Sequence, residues 1–129
     1  MSNGTQPNLD RLAAQYAQEI IRRTADKKAS DVDNTVTKAL GVLQENGVYA
    51  CFLYLLAKEK ENGSVVVEEM LNLLNDLGFE WGKPAGNSAE RVLQHITDKV
   101  TVDLERLLLT KETLEQMLIY TRYGAKARS

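Results

Sequence analysis

The chain has 129 residues with a formal net charge of −2, and 43% of them are hydrophobic and 26% charged. This size and composition predict one globular domain with its own core, and the charge argues against coating duplex DNA through bulk charge. The single cysteine, Cys51, excludes an internal disulfide and fits a reducing cytoplasm. We expect no signal peptide at the polar N-terminus and no membrane span, which needs about 20 apolar residues.

In chain order, residues 1–7 are small and polar and are predicted to be a disordered tail. Asn8 is expected to cap the first helix, and Ser30 or Asp31 the second. The segment Val48–Ala57 contains no charge. A helix that is apolar on every side is expected to be buried on every side, so this segment is predicted to be the central helix of the fold.

Breaking and capping residues place the remaining helices. The third helix is expected to stop at Glu61–Gly63, and Ser64 to cap the fourth. Ser88 is expected to cap the fifth helix and Thr110 the last. The stretch Thr101–Leu109, just before that cap, fits either a short helix or an extended connection.

Together these elements predict an all-α fold, a compact bundle of about six helices around the central apolar helix at 48–57. Residues 8–127 are predicted to form this single helical-bundle domain. Ala125–Ser129, after Gly124, is expected to fray.

No catalytic constellation emerges from the residue types. His95 is the only histidine, and its setting on a helix is typical of a surface or half-buried side chain rather than a catalytic base. Cys51 is expected to act as a small buried hydrophobe. The Gly82–Gly86 segment lacks the order of a phosphate-binding loop. We therefore predict no enzyme activity, no cofactor, no metal site and no small-molecule substrate.

The charges are unevenly distributed along the chain. Residues 59–80 carry −5 and residues 106–129 carry +3. Cations near helix C-termini have a structural explanation, because the helix dipole favours them there. The alternative is that they contact an RNA phosphate backbone, which would give affinity without sequence readout. The candidate RNA contacts are Arg22, Arg23, Lys27 and Lys28, followed by Arg122 and Lys126.

The acidic segment suggests a second hypothesis. Glu68 and Glu69 on the fourth helix are candidates for an acidic face that meets a basic patch on a neighbouring copy. A heterologous contact of this kind that does not close produces a filament rather than a ring.

Three stretches, residues 8–21, 39–58 and 109–127, combine into one pattern. The opening helix carries Leu12–Ala17, the second ends at Asn46–Gly47 before a very apolar helix, and the closing helix begins at Thr110–Glu112 and ends in Tyr120–Ala125. In this order and spacing they resemble the small all-helical subunit of the Cmr complex, the type III-B CRISPR–Cas effector. The segment 79–104 lies outside the matching stretches.

The resemblance implies a non-catalytic structural subunit for antiviral defence in the cytoplasm. Such subunits stack as a filament beside the backbone subunits and help to hold guide and target RNA. The implied partners are other subunits of the complex, copies of the same chain and the RNA backbone, with no membrane. The alternative interpretation is a helical protein–protein adaptor without a nucleic-acid role.

Overall fold

The computed structural model describes residues 7–128 and shows an all-α fold, which confirms the predicted helical bundle. The helices are α1 (Leu9–Arg23), α2 (Ala29–Asn46), α3 (Val48–Lys58), α4 (Glu61–Asn75), α5 (Ala89–His95) and α6 (Leu104–Arg128), and α5 continues into a π-helical turn at Ile96–Val100. Most of the predicted disordered tail, residues 1–6, lies outside the described residues. No helix within residues 7–128 is both long and apolar enough to cross a bilayer.

Two predicted caps are confirmed. The amide of Arg11 donates to Oδ1 of Asn8 at 3.0 Å, and the amide of Arg91 donates to Oγ of Ser88 at 3.2 Å. Gly47 separates α2 from α3 with a φ of 97°, a backbone conformation that glycine adopts without steric cost. The sequence alone predicts these two caps and this break, because each depends only on residues within about four positions along the chain.

The predicted starts of α2 and α4 are wrong. Helix α2 begins at Ala29 and has no side-chain cap, and α4 begins at Glu61 rather than after Ser64. Gly63 therefore lies inside α4 and does not stop α3. A Cβ at Gly63 would stand 2.5 Å from Cβ of Glu59 and 3.0 Å from the carbonyl oxygen of Leu55. This glycine is required because α3 and α4 approach closely at their junction.

The last helix is longer than predicted. It begins at Leu104, where the amide of Arg106 donates to Oδ1 of Asp103 at 3.2 Å. Most of the stretch Thr101–Leu109, for which the sequence allowed a helix or an extended connection, is therefore helical. Thr110 lies buried inside the helix instead of capping it. The fraying expected from Ala125 onward is wrong through residue 128, because Ala125 is fully buried against the core.

Helix α3 is less enclosed than its composition predicts. Cys51, Phe52 and Leu55 are buried, whereas Tyr49 and Leu53 are exposed. The helix contacts α2, α4, α5 and α6, but these neighbours leave one of its sides open. The prediction that α3 is buried on every side is therefore wrong.

Helix α6 packs along both α1 and α2 and so joins the two ends of the chain. It runs antiparallel to α2, since Nε2 of Gln44 donates to Glu115 at 2.7 Å while Asp33, earlier in α2, lies 3.7 Å from Arg122. The buried face of α6 includes Leu114, Met117, Leu118, Thr121 and Ala125. This arrangement places the C-terminus of α6 beside the connection between α1 and α2.

We predict opposite effects for alanine at two helical glycines. Gly63→Ala should lower the free energy of unfolding by about 1–2 kcal/mol, because the new methyl overlaps Glu59. Gly41→Ala in α2 is the matched control: its Cβ would meet no atom within 4 Å, and it should raise stability by about 0.5–1 kcal/mol. Urea denaturation measures both, and equal stabilisation by the two variants would contradict the close approach.

Candidate nucleic-acid interface

The two basic segments of the sequence meet at one end of the bundle. Arg128, at the end of α6, donates to the carbonyl oxygen of Thr24 at 2.8 Å and to that of Lys27 at 2.7 Å. Its guanidinium thereby satisfies carbonyls that follow the last turn of α1. We call the cationic surface formed here the basic end; its members are Arg22, Lys27, Lys28, Arg122, Lys126 and Arg128.

Arg122 and Lys126 approach the same carboxylate on α2. Nε of Arg122 lies 3.7 Å from Oδ1 of Asp33, and Nζ of Lys126 lies 3.8 Å from Oδ2. Both separations fit an ion pair but exceed a good hydrogen bond. The Asp33 carboxylate is thus shared by two cations, and the Lys126 side chain remains half exposed.

Arg23 is engaged within the molecule. Its guanidinium donates to Glu68 at 2.6 Å and to Glu69 at 2.7 Å, and these bonds raise the pKa of Arg23. The Glu69 side chain is only 4% exposed and also accepts from Asn72 at 3.0 Å. The predicted RNA contact Arg23 and the predicted acidic face at Glu68 and Glu69 therefore form one internal cluster between α1 and α4.

The other three predicted cations are more accessible. Arg22 is exposed and forms a short-range pair with Glu19 at 2.6 Å. Lys27 pairs with Glu61 at the start of α4. Lys28 is exposed, and within residues 7–128 no carboxylate pairs with it.

Two cations that the sequence pattern did not single out extend this region. Lys38 and Lys60 line an open cleft of about 540 Å³ beside Lys27. The cleft also holds carboxylates, and Glu59 among them accepts hydrogen bonds from Thr35 and Tyr54. Spacing along α2 is the only sequence signal for Lys38, since it follows Lys28 by nearly three helical turns. No local signal identifies Lys60.

The single cysteine and the single histidine of the sequence are both buried in the structure. Burial raises the pKa of the Cys51 thiol to about 12, so the thiolate is scarce at neutral pH. His95 is buried, and its Nε2 has no hydrogen-bond partner. Among the described residues, no group of three or more His, Cys, Asp or Glu side chains is placed to hold a metal ion.

Comparisons with protein-family models, with curated proteins and with solved structures found no match to this chain. The fold, the charged surfaces described above and the sequence resemblance are therefore the observations that bear on function.

We predict that adjacent arginines on α1 contribute very differently to stability. Arg23→Met should lower the free energy of unfolding by about 2 kcal/mol, because it leaves the buried Glu69 carboxylate without its cation. Arg22→Met is the matched control and should leave stability unchanged, because its pair with Glu19 is exposed. Chemical denaturation checks both, and adding Glu69→Gln to Arg23→Met should recover part of the stability. Equal destabilisation by the two arginine variants would contradict an internal role for Arg23.

We also predict a pH dependence that originates at His95. Burial, and to a lesser extent the Lys99 charge, lowers the pKa of His95 below its ordinary value of 6.5. The unfolded chain therefore takes up a proton before the folded chain does, and stability should fall as the pH drops below about 6.5 until His95 protonates in the fold. His95→Gln should remove this component when its unfolding free energy is compared with wild type from pH 8 to pH 4. A pH-independent difference between the two proteins would contradict the prediction.

Proposed function

We propose that the protein is a non-catalytic structural subunit of an RNA-guided effector ribonucleoprotein of the CRISPR type III-B (Cmr) class. In this role it acts in antiviral defence in the cytoplasm. Copies stack beside the backbone subunits, and the basic end of each copy meets phosphates of the guide or target RNA. The sequence resemblance supports the class, and the all-α fold is compatible with it.

The observation that carries the RNA contact is the docking of Arg128 on the connection between α1 and α2. It joins two cationic segments about 100 residues apart in sequence into one surface. Arg22, Lys28 and Lys126 keep exposed side chains there. Such cations bind phosphate without reading the base sequence. Arg23, in contrast, serves the fold through its pairs with α4.

The test is a triple neutralisation of the exposed cations, Arg22→Gln, Lys28→Gln and Lys126→Gln. Assembled complex carrying this variant should bind target RNA more weakly. The slope of log affinity against log salt should decrease by about 0.7 for each single-strand phosphate that the variant no longer neutralises. The matched control is Lys83→Gln, Arg91→Gln and Lys99→Gln, which removes three exposed positive charges from the segment around α5.

The control should leave both the affinity and the salt slope unchanged. If the two triple variants behave alike, the basic end does not contact RNA, and the effect of either is one of overall charge. Unchanged binding by both variants would remove the RNA-contact part of the proposal.

The second candidate function is a protein–protein adaptor without nucleic acid. Val102, Leu104 and Leu108 are exposed near the start of α6, far from the basic end, and clustered exposed apolar side chains mark interaction surfaces. Affinity purification of the tagged chain from its host separates the two functions. Recovery of repeat-type subunits with a small guide RNA supports the effector complex, and recovery of proteins alone supports the adaptor.

A further inference from the structure

A groove runs along the surface between the first and the last helix. The two helices lie parallel, because Tyr120 of α6 donates to Asp10 near the start of α1, and Arg128 reaches the carbonyl of Thr24 just after the end of α1. The groove has a volume of about 450 Å³. This volume lies within the range of about 300–1,000 Å³ that small-molecule sites occupy.

The floor of the groove is aliphatic. Ala14, Ala17 and Ile21 line it from α1, and Gly124 lines it from α6. A Cβ at Gly124 would stand 3.1 Å from Cγ1 of Ile21, so the absence of a side chain at this position lets the two helices approach. Tyr120 adds an aromatic ring to the lining. The surface that the groove offers to a ligand is therefore mainly hydrocarbon.

One end of the groove carries a cation. Among the described residues that line it, Arg22 is the only charged side chain. Glu19 accepts from Nε and Nη2 of Arg22, whereas Nη1 has no acceptor within residues 7–128. A guanidinium has five N–H donors, so Nη1 is available to a second anion. Eight residues of α1 separate Ala14 from Arg22, and the apolar surface before this cation thus extends about 12 Å.

We propose that the groove binds a short aliphatic carboxylate, with its chain on the aliphatic floor and its carboxylate at Nη1 of Arg22. Burial of the chain supplies the affinity, and the charge-assisted hydrogen bond fixes the orientation of the ligand. A nucleobase fits this surface less well, because most of its polar edge atoms would meet carbon while Gln18 supplies a single amide for them.

The ligand is bound and released unchanged. The part of the chain that the structure describes places no Ser, Cys, His, Lys, Asp or Glu side chain in the lining of the groove, so the usual nucleophiles and general bases are missing there. Binding needs neither RNA nor another subunit, and the site is therefore separate from the proposed function. Because Arg22 also belongs to the basic end, a bound carboxylate lowers the positive charge offered at that end.

The first test is a titration of the full-length isolated chain at pH 7, followed by NMR of its backbone amides. Octanoate should bind saturably with a Kd of about 1–10 mM and should shift the amides of Ala17 and Gly124. It should bind about fivefold to tenfold more tightly than hexanoate, because each fully buried methylene strengthens binding about fourfold. Octylammonium should bind more weakly than octanoate, since its charge opposes that of Arg22.

The second test changes the floor and the cation separately. Ala14→Leu should weaken octanoate binding about tenfold or more, because the larger side chain fills the groove. The matched control is Ala50→Leu on α3, a partly exposed alanine that does not line the groove, and it should change binding by less than about twofold.

Arg22→Gln should weaken octanoate binding about threefold without weakening the binding of octylammonium. Its control, Arg91→Gln, removes an exposed arginine from α5 and should alter neither. Arg22 is an exposed side chain, so this variant tests the site even if Ala14→Leu fails to fold.

Four results would overturn the proposal: no saturable octanoate binding up to about 50 mM, no dependence on chain length, tighter binding of octylammonium, or an Ala14→Leu variant that behaves like Ala50→Leu. Two further results would also overturn it by naming another occupant. Tighter binding of AMP at the same amides would assign the groove to a nucleotide, and shifts of those amides with protein concentration alone would assign it to a second copy. RNA binding by the assembled complex is measured without carboxylate, so either proposal can fail while the other stands.

Discussion

The packing of α6 along α1 and α2 is the constraint on which the other surfaces depend. It closes the chain by placing the last helix against the first, and Arg128 completes the closure by binding two carbonyl groups of the α1–α2 connection. Because α6 is a single helix of 25 residues, it also separates two unlike surfaces along its length. The exposed apolar side chains Val102, Leu104 and Leu108 stand near its start, and the basic end lies at its finish.

Ion pairs within the molecule change what the uneven charge distribution of the sequence implies. Residues 59–80 carry −5, but three of these acids, Glu61, Glu68 and Glu69, bind Lys27 and Arg23 in the same molecule. This pairing holds α4 against the end of α1. The cations that keep exposed side chains are fewer than the sequence shows, and they are the ones available to RNA.

The proposed RNA contact depends on charge rather than on a fitted surface. Phosphate binding uses exposed cations at one end and tolerates variation in geometry, since it reads charge alone. The exposed apolar side chains near the start of α6, Val102, Leu104 and Leu108, lie at the other end of that helix from Lys126.

The sequence by itself determined the helical class, the caps at Asn8 and Ser88 and the break at Gly47, because each of these depends on local periodicity or on hydrogen bonds within a single turn. It also singled out most members of the basic end. Only the tertiary structure decided which charges remain free, because Arg23 meets Glu68 and Glu69 across 45 and 46 residues of sequence. The tertiary structure also decided where α4 starts and which side of α3 is exposed. Neighbouring helices set both the close approach at Gly63 and the cover over α3, and no local sequence pattern encodes them.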